Sequence, residues 1–223
     1  MKAENTGLII LAAGGSQRLG RPKQLLPYEG ISLLKHAIQV GMDSKAHEIL
    51  VVLGAHANEI IKEVVGDRIQ VAVNADWQEG IASSIRFGLQ ALLKAQPEIT
   101  GVVIMLCDQP YVTAPIINNL IELGQSTDKL IIASTYGSAT GVPAWFHRDV
   151  FPDLLHLRGD MGAKAVIKEH ITKVATIPFQ DGNIDIDTET DYTALISHAA
   201  PLPYPEGAAA EQLMRIPKTP IGV

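Results

Sequence analysis

The chain has little of several features that would place it in a broad class of proteins. It contains a single cysteine, Cys107, so it cannot form an intramolecular disulfide. No apolar run approaches the ~20 residues that cross a bilayer, and the N-terminus lacks the basic start and small-residue cleavage site of a secretory signal. Acidic residues outnumber basic ones by 24 to 18, which disfavours binding along a nucleic-acid backbone. We therefore expect a soluble cytoplasmic protein with neither a nucleic-acid nor a membrane partner.

Short β-branched runs alternate with helical patterns over the first 135 residues. Strands that are buried on both faces are predicted at residues 7–12, 48–53, 69–73, 101–106 and 130–134. Helices with apolar residues at three- and four-residue spacing are predicted at 33–42, 58–65, 81–93 and 115–123. This alternation predicts an α/β protein with a three-layer α/β/α, Rossmann-like fold and a mostly parallel sheet.

The regular alternation weakens after about residue 135. A strand is predicted at 141–146, a helix at 161–169, a strand at 174–177 and a final helix from Thr188, and we expect a small antiparallel excursion of the sheet here. Residues 201–223 contain five of the 13 prolines and little periodicity. The sequence therefore predicts one domain over residues 1–200, followed by a proline-rich C-terminal tail over 201–223.

The strongest local signal lies directly after the first predicted strand. Residues 11–26 read Leu-Ala-Ala-Gly-Gly-Ser-Gln-Arg-Leu-Gly-Arg-Pro-Lys-Gln-Leu-Leu. Small residues let backbone N–H groups approach phosphates closely, and Arg18, Arg21 and Lys23 concentrate positive charge in an acidic chain. Ala12 and Ala13 leave room for a base or ribose at the strand end. The alternative is an ordinary solvated turn between a strand and a helix.

Two better-known phosphate motifs do not fit this loop. The spacing from Gly15 to Gly20 would begin a P-loop, but Arg21 and Pro22 stand where Lys and Ser or Thr are required. The chain also lacks Gly-x-Gly-x-x-Gly, which disfavours a nicotinamide-dependent oxidoreductase. Residues 11–26 instead closely resemble the signature of the molybdenum-cofactor nucleotidyltransferases, in particular their cytidylyltransferase branch. The resemblance extends over roughly residues 5–197 and implies a nucleotidyltransferase fold.

Two acidic segments are candidates for metal binding. Asp108 follows the predicted strand 101–106, where a carboxylate faces the ligand crevice of an open sheet and suits a hard cation such as Mg²⁺. Its alternative role is a helix cap or a turn acid before Pro110. The second acidic segment, residues 185–192, reads Asp-Ile-Asp-Thr-Glu-Thr-Asp-Tyr. On the simpler interpretation, Asp187 or Thr188 caps the final helix. The resemblance implies instead that Asp187 is the second metal ligand.

The resemblance also implies which residues contact the substrates. Gly80, Ser83 and Ser84 lie at a predicted helix start, which suits either an anion site or an ordinary Ser-rich beginning, and the resemblance favours nucleotide contacts there and at Gly54. The full predicted nucleotide-binding set is Ala12, Ala13, Gly14, Gly15, Ser16, Arg18, Lys23, Gly54, Gly80, Ser83 and Ser84. The implied acceptor-binding residues are Gly141, Pro143, Gly159, Asp160 and Gly162.

Nucleotidyl transfer depends on positioning and on neutralising phosphate charge, so it requires no nucleophilic side chain. The predicted catalytic residues are accordingly Arg18, Lys23 and Asp108, with Mg²⁺ at Asp108 and Asp187. The resemblance implies transfer of CMP from CTP to molybdopterin-type cofactor, with release of pyrophosphate and possible delivery of the product to a molybdoenzyme. The alternatives are a GTP-using enzyme, a sugar-phosphate nucleotidyltransferase, or a noncatalytic nucleotide- or cofactor-binding chaperone.

Overall fold

The computed structural model describes residues 5–66 and 68–198, and the predicted tail over 201–223 lies outside them. A seven-stranded sheet has the strand order β5, β4, β1, β6, β8, β7, β9. Its strands are β1 (Thr6–Ala12), β4 (Glu48–Leu53), β5 (Ile69–Val73), β6 (Gly101–Leu106), β7 (Ile131–Tyr136), β8 (Ala139–His147) and β9 (Val174–Pro178). The strand β8 runs antiparallel to both neighbours, and every other pairing in this sheet is parallel.

Helices cover both faces of the sheet. They are α1 (Leu33–Met42), α2 (Ala57–Ile60), α3 (Ile81–Ala95), α4 (Ala114–Ser126), α5 (Phe151–His156), α6 (Lys164–Glu169) and α7 (Glu189–His198). Helices α1, α2 and α4 share one buried apolar cluster with the sheet, while α3, α5 and α6 share another. Side chains of β1 alternate between the two clusters, with Leu8 and Ile10 in one and Ile9 and Leu11 in the other. Such burial on both faces explains the uninterrupted apolar strand.

The C-terminal helix α7 packs against the segment that follows β1. A separate hairpin of β2 (Pro27–Tyr28) and β3 (Ile31–Ser32) contributes Tyr28 to a third apolar cluster, which also contains Leu19, Leu26, Leu33, Ile186 and Leu195. At the surface of this cluster Arg21 donates two hydrogen bonds, of 2.9 and 3.0 Å, to Glu189. These contacts join chain segments about 170 residues apart in sequence and bring the second acidic segment to the glycine-rich loop.

The predicted three-layer fold, its mostly parallel sheet and its small antiparallel excursion are confirmed. Two predicted helices are longer than the structure has them. The predicted helix 58–65 is the single turn α2 followed by a 3-10 turn over Ile61–Glu63. Across these two turns only Ile60, in α2, is buried. The predicted helix 161–169 begins only at Lys164, and the chain before it is a loop that includes Gly159 with a positive φ. Among the described residues, no helix is long and apolar enough to cross a membrane.

Candidate functional site

A cleft of about 530 Å³ opens at the carboxyl ends of β1 and β6. The chain continues from β1 to β4 on one side and later to β6 on the other, so the strand order reverses here, and ligands of open α/β sheets bind at such a point. The cleft is lined by Leu11, Ala12, Ala13, Gly14, Gln17, Lys23, Gln24, Trp77, Gln78, Gly80, Ile81, Ser84, Leu106, Cys107, Asp108 and Asp160. The lining of this cleft therefore combines apolar and polar groups.

The glycine-rich loop is held open by side chains on its own flanks. The buried Gln24 amide donates to the Ala12 carbonyl at 2.8 Å and to the Gly14 carbonyl at 3.0 Å, which fixes where the loop leaves β1. The Ser16 hydroxyl accepts from the Lys23 N–H at 3.0 Å. Among the described residues, Gly15 and Gln17 make no hydrogen bond, so their backbone N–H groups remain available to an anionic ligand.

A compact group of charges lies at the mouth of the loop. The Lys23 ammonium bridges two carboxylates, donating to Asp108 Oδ2 and, at 2.8 Å, to Asp187 Oδ1. Arg18 donates to the other oxygen of Asp187 at 2.6 Å. The side chains of Lys23 and Asp108 are only 14% and 10% exposed, whereas Arg18 is largely in solvent. Two cations and two carboxylates from three distant segments thus share one site.

The charges shift one another's protonation equilibria. Burial alone lowers the pKa of the Lys23 ammonium, but the charges and hydrogen bonds of Asp108 and Asp187 outweigh burial and raise the pKa above its ordinary value. Burial raises the pKa of Asp187, and Lys23 and Arg18 more than offset it, so that this pKa is lowered. At neutral pH, Lys23 is therefore cationic and Asp187 anionic.

Asp108 has one oxygen left over for a ligand. Its Oδ1 atom is buried and has no hydrogen-bond partner, while Lys23 binds its other oxygen. Asp108 and Asp187 converge on the Lys23 ammonium. Hard divalent cations prefer carboxylate oxygens, so the same two carboxylates also suit a divalent cation. Within residues 5–66 and 68–198, no group of three or more His, Cys, Asp or Glu side chains is placed to hold a metal. Further ligands would therefore have to come from substrate or water.

Local structure at the end of the chain places Asp187 opposite Lys23. The Ile186 N–H donates to the Asp108 carbonyl at 3.1 Å, which ties the two acidic segments together. The Asp191 carboxylate accepts from the N–H of Thr188 at 2.8 Å and of Asp187 at 3.2 Å, and the Thr188 hydroxyl accepts from the Asp191 N–H at 3.2 Å. This capping box starts α7, so Thr188 caps the helix and leaves the Asp187 side chain free to bind cations.

The opposite wall of the cleft is the start of α3. Gly80 has φ of 107°, and a Cβ there would lie 2.4 Å from the Gly159 carbonyl oxygen, so only glycine fits. The Ala82 N–H donates to that same oxygen at 3.1 Å. The Ser83 hydroxyl is 2.9 Å from the Asp76 and Gly80 carbonyls and therefore serves the turn itself. Ser84, one residue on, lines the cleft.

A smaller cavity of about 160 Å³ adjoins the cleft and shares Leu11, Ile81 and Leu106 with it. Its other lining residues are Ile85, Ile104, Tyr136, Gly141, Val142, Gly162, Ala163 and Lys164. The shared apolar residues separate two chambers of different character, the larger with charges and the smaller mainly apolar.

The structure gathers much of the predicted site around these two cavities. The cleft contains Ala12, Ala13, Gly14, Lys23, Gly80, Ser84, Asp108 and Asp160, and the smaller cavity contains Gly141 and Gly162. Asp187 and Arg18 do not line the cleft. Asp187 binds Lys23, which lines it, and Arg18 binds Asp187. Neither cavity is lined by Gly15, Ser16, Gly54, Ser83, Pro143 or Gly159. Their assigned contacts, like those of the residues that do line a cavity, stay predictions.

Sequence reasoning assigned no role to several residues that line the cleft or support its wall. Gln24 is part of the quoted motif, yet its role in holding the loop depends on two carbonyls that only the fold reveals. Asn74 donates to the hydroxyls of Ser83 and Ser84 at 2.9 and 3.1 Å, and its position after β5 was a usable signal. Trp77 also lines the cleft, and nothing in its residue type or position assigned it a role from sequence alone.

Two curated proteins are similar to this chain over most of its length. Nicotine blue oxidoreductase of Paenarthrobacter nicotinovorans is 28% identical over 191 residues, which cover 82% of this chain and 91% of that protein. The purine catabolism protein PucB of Bacillus subtilis is 29% identical over 199 residues, covering 82% of the chain and 92% of PucB. Both relatives therefore match over nearly their whole length.

Solved structures give the same result. The crystal structure of Rv0371c from Mycobacterium tuberculosis superimposes with a TM-score of 0.77 at 34% identity, covering 88% of this chain and all of that one. A structure of the same protein in complex with manganese has a TM-score of 0.72 at 31% identity, over 87% of this chain and 99% of that one.

A family model matches about three quarters of the chain. The model of the MobA-like NTP transferase domain matches residues 8–174, which include the glycine-rich loop, Asp108 and the start of α3. The predicted resemblance to the molybdenum-cofactor nucleotidyltransferases is thereby confirmed. The chain belongs to the MobA-like NTP transferase domain family and is a nucleotidyltransferase.

Proposed function

We propose that the protein transfers CMP from CTP to molybdopterin-type cofactor, releasing pyrophosphate and forming molybdopterin cytosine dinucleotide. The observation that carries the proposal is the charge group of Lys23, Arg18, Asp108 and Asp187 beside a loop with available backbone N–H groups. Such a site neutralises phosphate charge and positions reactants, which is the main requirement of nucleotidyl transfer.

The residues divide the work between the two ends of the triphosphate. Backbone N–H groups of the loop bind phosphate oxygens, and Arg18 and Lys23 stabilise charge on the reacting and departing phosphates. Asp108 and Asp187 hold a divalent cation, Mg²⁺ in this proposal, with remaining ligands from phosphates and water. A cation held by these two carboxylates would supply charge neutralisation for the phosphate oxygens. The manganese complex of Rv0371c supports a divalent ion.

The choice of CTP rests on the residue at position 13. In the resembled family, Leu-Ala-Ala-Gly accompanies the cytidine branch and Leu-Ala-Gly-Gly the guanosine branch. Ala13 follows β1 and lines the cleft, where its methyl group occupies space that a glycine leaves open. A smaller base accordingly fits better beside Ala13, which supports CTP over GTP.

The acceptor is assigned to the side of the cleft near β8. Gly141 and Gly162 line the smaller cavity, while Asp160 lines the cleft itself, so these predicted acceptor residues flank the junction of the two chambers. An acceptor at this junction places its phosphate near the nucleotide. The proposal keeps the expectation of a cytoplasmic enzyme whose product passes to a molybdoenzyme.

The test is pyrophosphate release from CTP or GTP with Mg²⁺ and molybdopterin cofactor. We expect release with CTP that depends on Mg²⁺ and falls at least about 100-fold in Asp108→Asn, because one strong cation ligand is lost. The exposed Asp128, which lies outside both cavities, provides the matched control Asp128→Asn with unchanged release. Release with GTP alone would overturn the choice of base, and no release with either nucleotide would favour another acceptor or a binding protein.

A further inference from the structure

Trp77 lies between two glycines of the predicted nucleotide site. Its side chain comes from a 3-10 turn over Trp77–Glu79, after β5 and before α3, and it forms part of the cleft wall. A Cβ built at Gly15 would lie 3.1 Å from Cη2 and 3.2 Å from Cζ3 of the indole. A Cβ at Gly54 would lie 2.6 Å from Trp77 Cβ and 2.8 Å from Cγ. The Trp77 side chain therefore fills the space beside Gly15 and, together with the Ala13 carbonyl oxygen, the space beside Gly54.

This packing gives another reason for glycine at these positions. Gly15 and Gly54 line neither cavity, so the structure does not place them against a ligand. Gly15 lacks a positive φ, so its backbone conformation is open to alanine, and what opposes a side chain there is the tight space beside the indole. By contrast, a Cβ at the neighbouring Gly14 would meet nothing within 4 Å. Of the two adjacent loop glycines, Gly14 and Gly15, only Gly15 therefore faces Trp77.

The turn that carries Trp77 is itself firmly held. The buried Asn74 side chain accepts from the Asp76 N–H at 3.0 Å and donates to the Ser83 hydroxyl at 2.9 Å. The Gly80 N–H donates to the Trp77 carbonyl at 3.2 Å, which closes the turn. The hydrogen-bonded turn holds the indole in one position, and the indole in turn packs against the glycine-rich loop.

We propose that Trp77 is a positioning residue that sets the conformation of residues 13–18 and thereby the binding of the triphosphate. The inference rests on the proposed function, because it takes this loop as the nucleotide site. An indole against Gly15 restricts where the loop backbone can lie, so its N–H groups are already oriented before the nucleotide arrives. Without that support the loop orders only on binding, and affinity falls.

A size exchange between the two partners tests the contact. Gly15→Ala is expected to weaken CTP binding about 5-fold by calorimetry, because the new methyl group presses on the indole. Trp77→Phe replaces the indole by a smaller ring. When it is combined with Gly15→Ala, the affinity for CTP is expected to return to within about 2-fold of wild type. Gly14→Ala is the matched control, and the same Phe substitution is expected to leave its effect on affinity unchanged. Equal rescue of both alanine variants, or rescue of neither, would overturn the inference.

A second measurement needs no nucleotide. Hydrogen exchange of residues 13–18 in the ligand-free protein is expected to accelerate at least about 10-fold in Trp77→Ala and to remain near wild type in Trp77→Phe. Unchanged exchange in the alanine variant would refute the positioning role. If the exchange result holds while wild type fails to bind CTP, the proposed function fails and the role of Trp77 in the loop stands.

Discussion

Replacing Lys23 by methionine tests whether its ammonium occupies the position between Asp108 and Asp187 that a divalent cation would take. Lys23 bridges Asp108 and Asp187, and the variant leaves these two carboxylates facing each other without it. Methionine keeps an unbranched apolar chain, so packing changes little. The result should be a less stable protein that a divalent cation restabilises.

The size of the effect follows from burial. Removing one partner of a buried ion pair costs about 3–5 kcal/mol. The Asp187 side chain is 36% exposed, so solvent screens its share and we take the lower end, about 3 kcal/mol. For a chain of this size each kcal/mol shifts Tm by about 2–4 °C, which predicts a loss of about 6–12 °C in EDTA. A cation at 100 times its Kd would restore about 2.7 kcal/mol.

The assay is thermal unfolding without nucleotide, in EDTA and in excess Mg²⁺. Wild type should respond less to Mg²⁺ than Lys23→Met, because in wild type the cation has to displace an ammonium that is already bound. Lys45→Met is the control, since the ion pair of Lys45 with Glu122 is exposed on both sides and worth at most about 1 kcal/mol. Equal Mg²⁺ responses in wild type and Lys23→Met, or no loss of stability in EDTA, would refute the reasoning.

Three further predictions concern single residues around the site. Burial raises the pKa of the Cys107 thiol to about 12, so at pH 8 it stays protonated and a thiol reagent should label it only after denaturation; rapid labelling of native protein would contradict this. Asp191→Ala removes the partner of Thr188 in the capping box of α7 and should lower stability by about 1 kcal/mol in urea unfolding, whereas an unchanged midpoint would show that this half of the box is dispensable. Gly80→Ala, with φ of 107° and a Cβ 2.4 Å from the Gly159 oxygen, should cost about 2–3 kcal/mol, and Gly162→Ala, whose nearest contact is 3.7 Å, should cost less than about 1.

The centre of the sheet could be predicted from the sequence because β1, β4 and β6 are apolar and buried on both faces. The predicted bounds of β4, β5 and β6 agree with the structure, since β-branched runs flanked by polar or glycine residues have few alternatives. The direction of β8 could be anticipated only as a small antiparallel excursion, because strand direction depends on tertiary pairing. The hairpin of β2 and β3 was missed because each strand has only two residues.

The candidate site was predictable where chemistry is local to a motif. The cationic loop and the acid after β6 carry their own signal in residue type and position. The bridge of Lys23 to Asp108 and Asp187 joins residues 85 and 164 positions apart, and no local pattern specifies such a contact. Trp77 carries no chemical signal, because its place beside Gly15 follows from how β4, β5 and the loop pack together.

The most direct test of the account follows the α-phosphate of CTP. With CTP labelled at the α-phosphate, Mg²⁺ and molybdopterin cofactor, wild-type protein is predicted to move the label into a cytosine dinucleotide, while the β- and γ-phosphates leave as pyrophosphate. The same incubation with Asp108→Asn should leave the label in CTP. Label that appears as free CMP, or that never leaves CTP in the wild-type reaction, would contradict cytidylyl transfer to this acceptor.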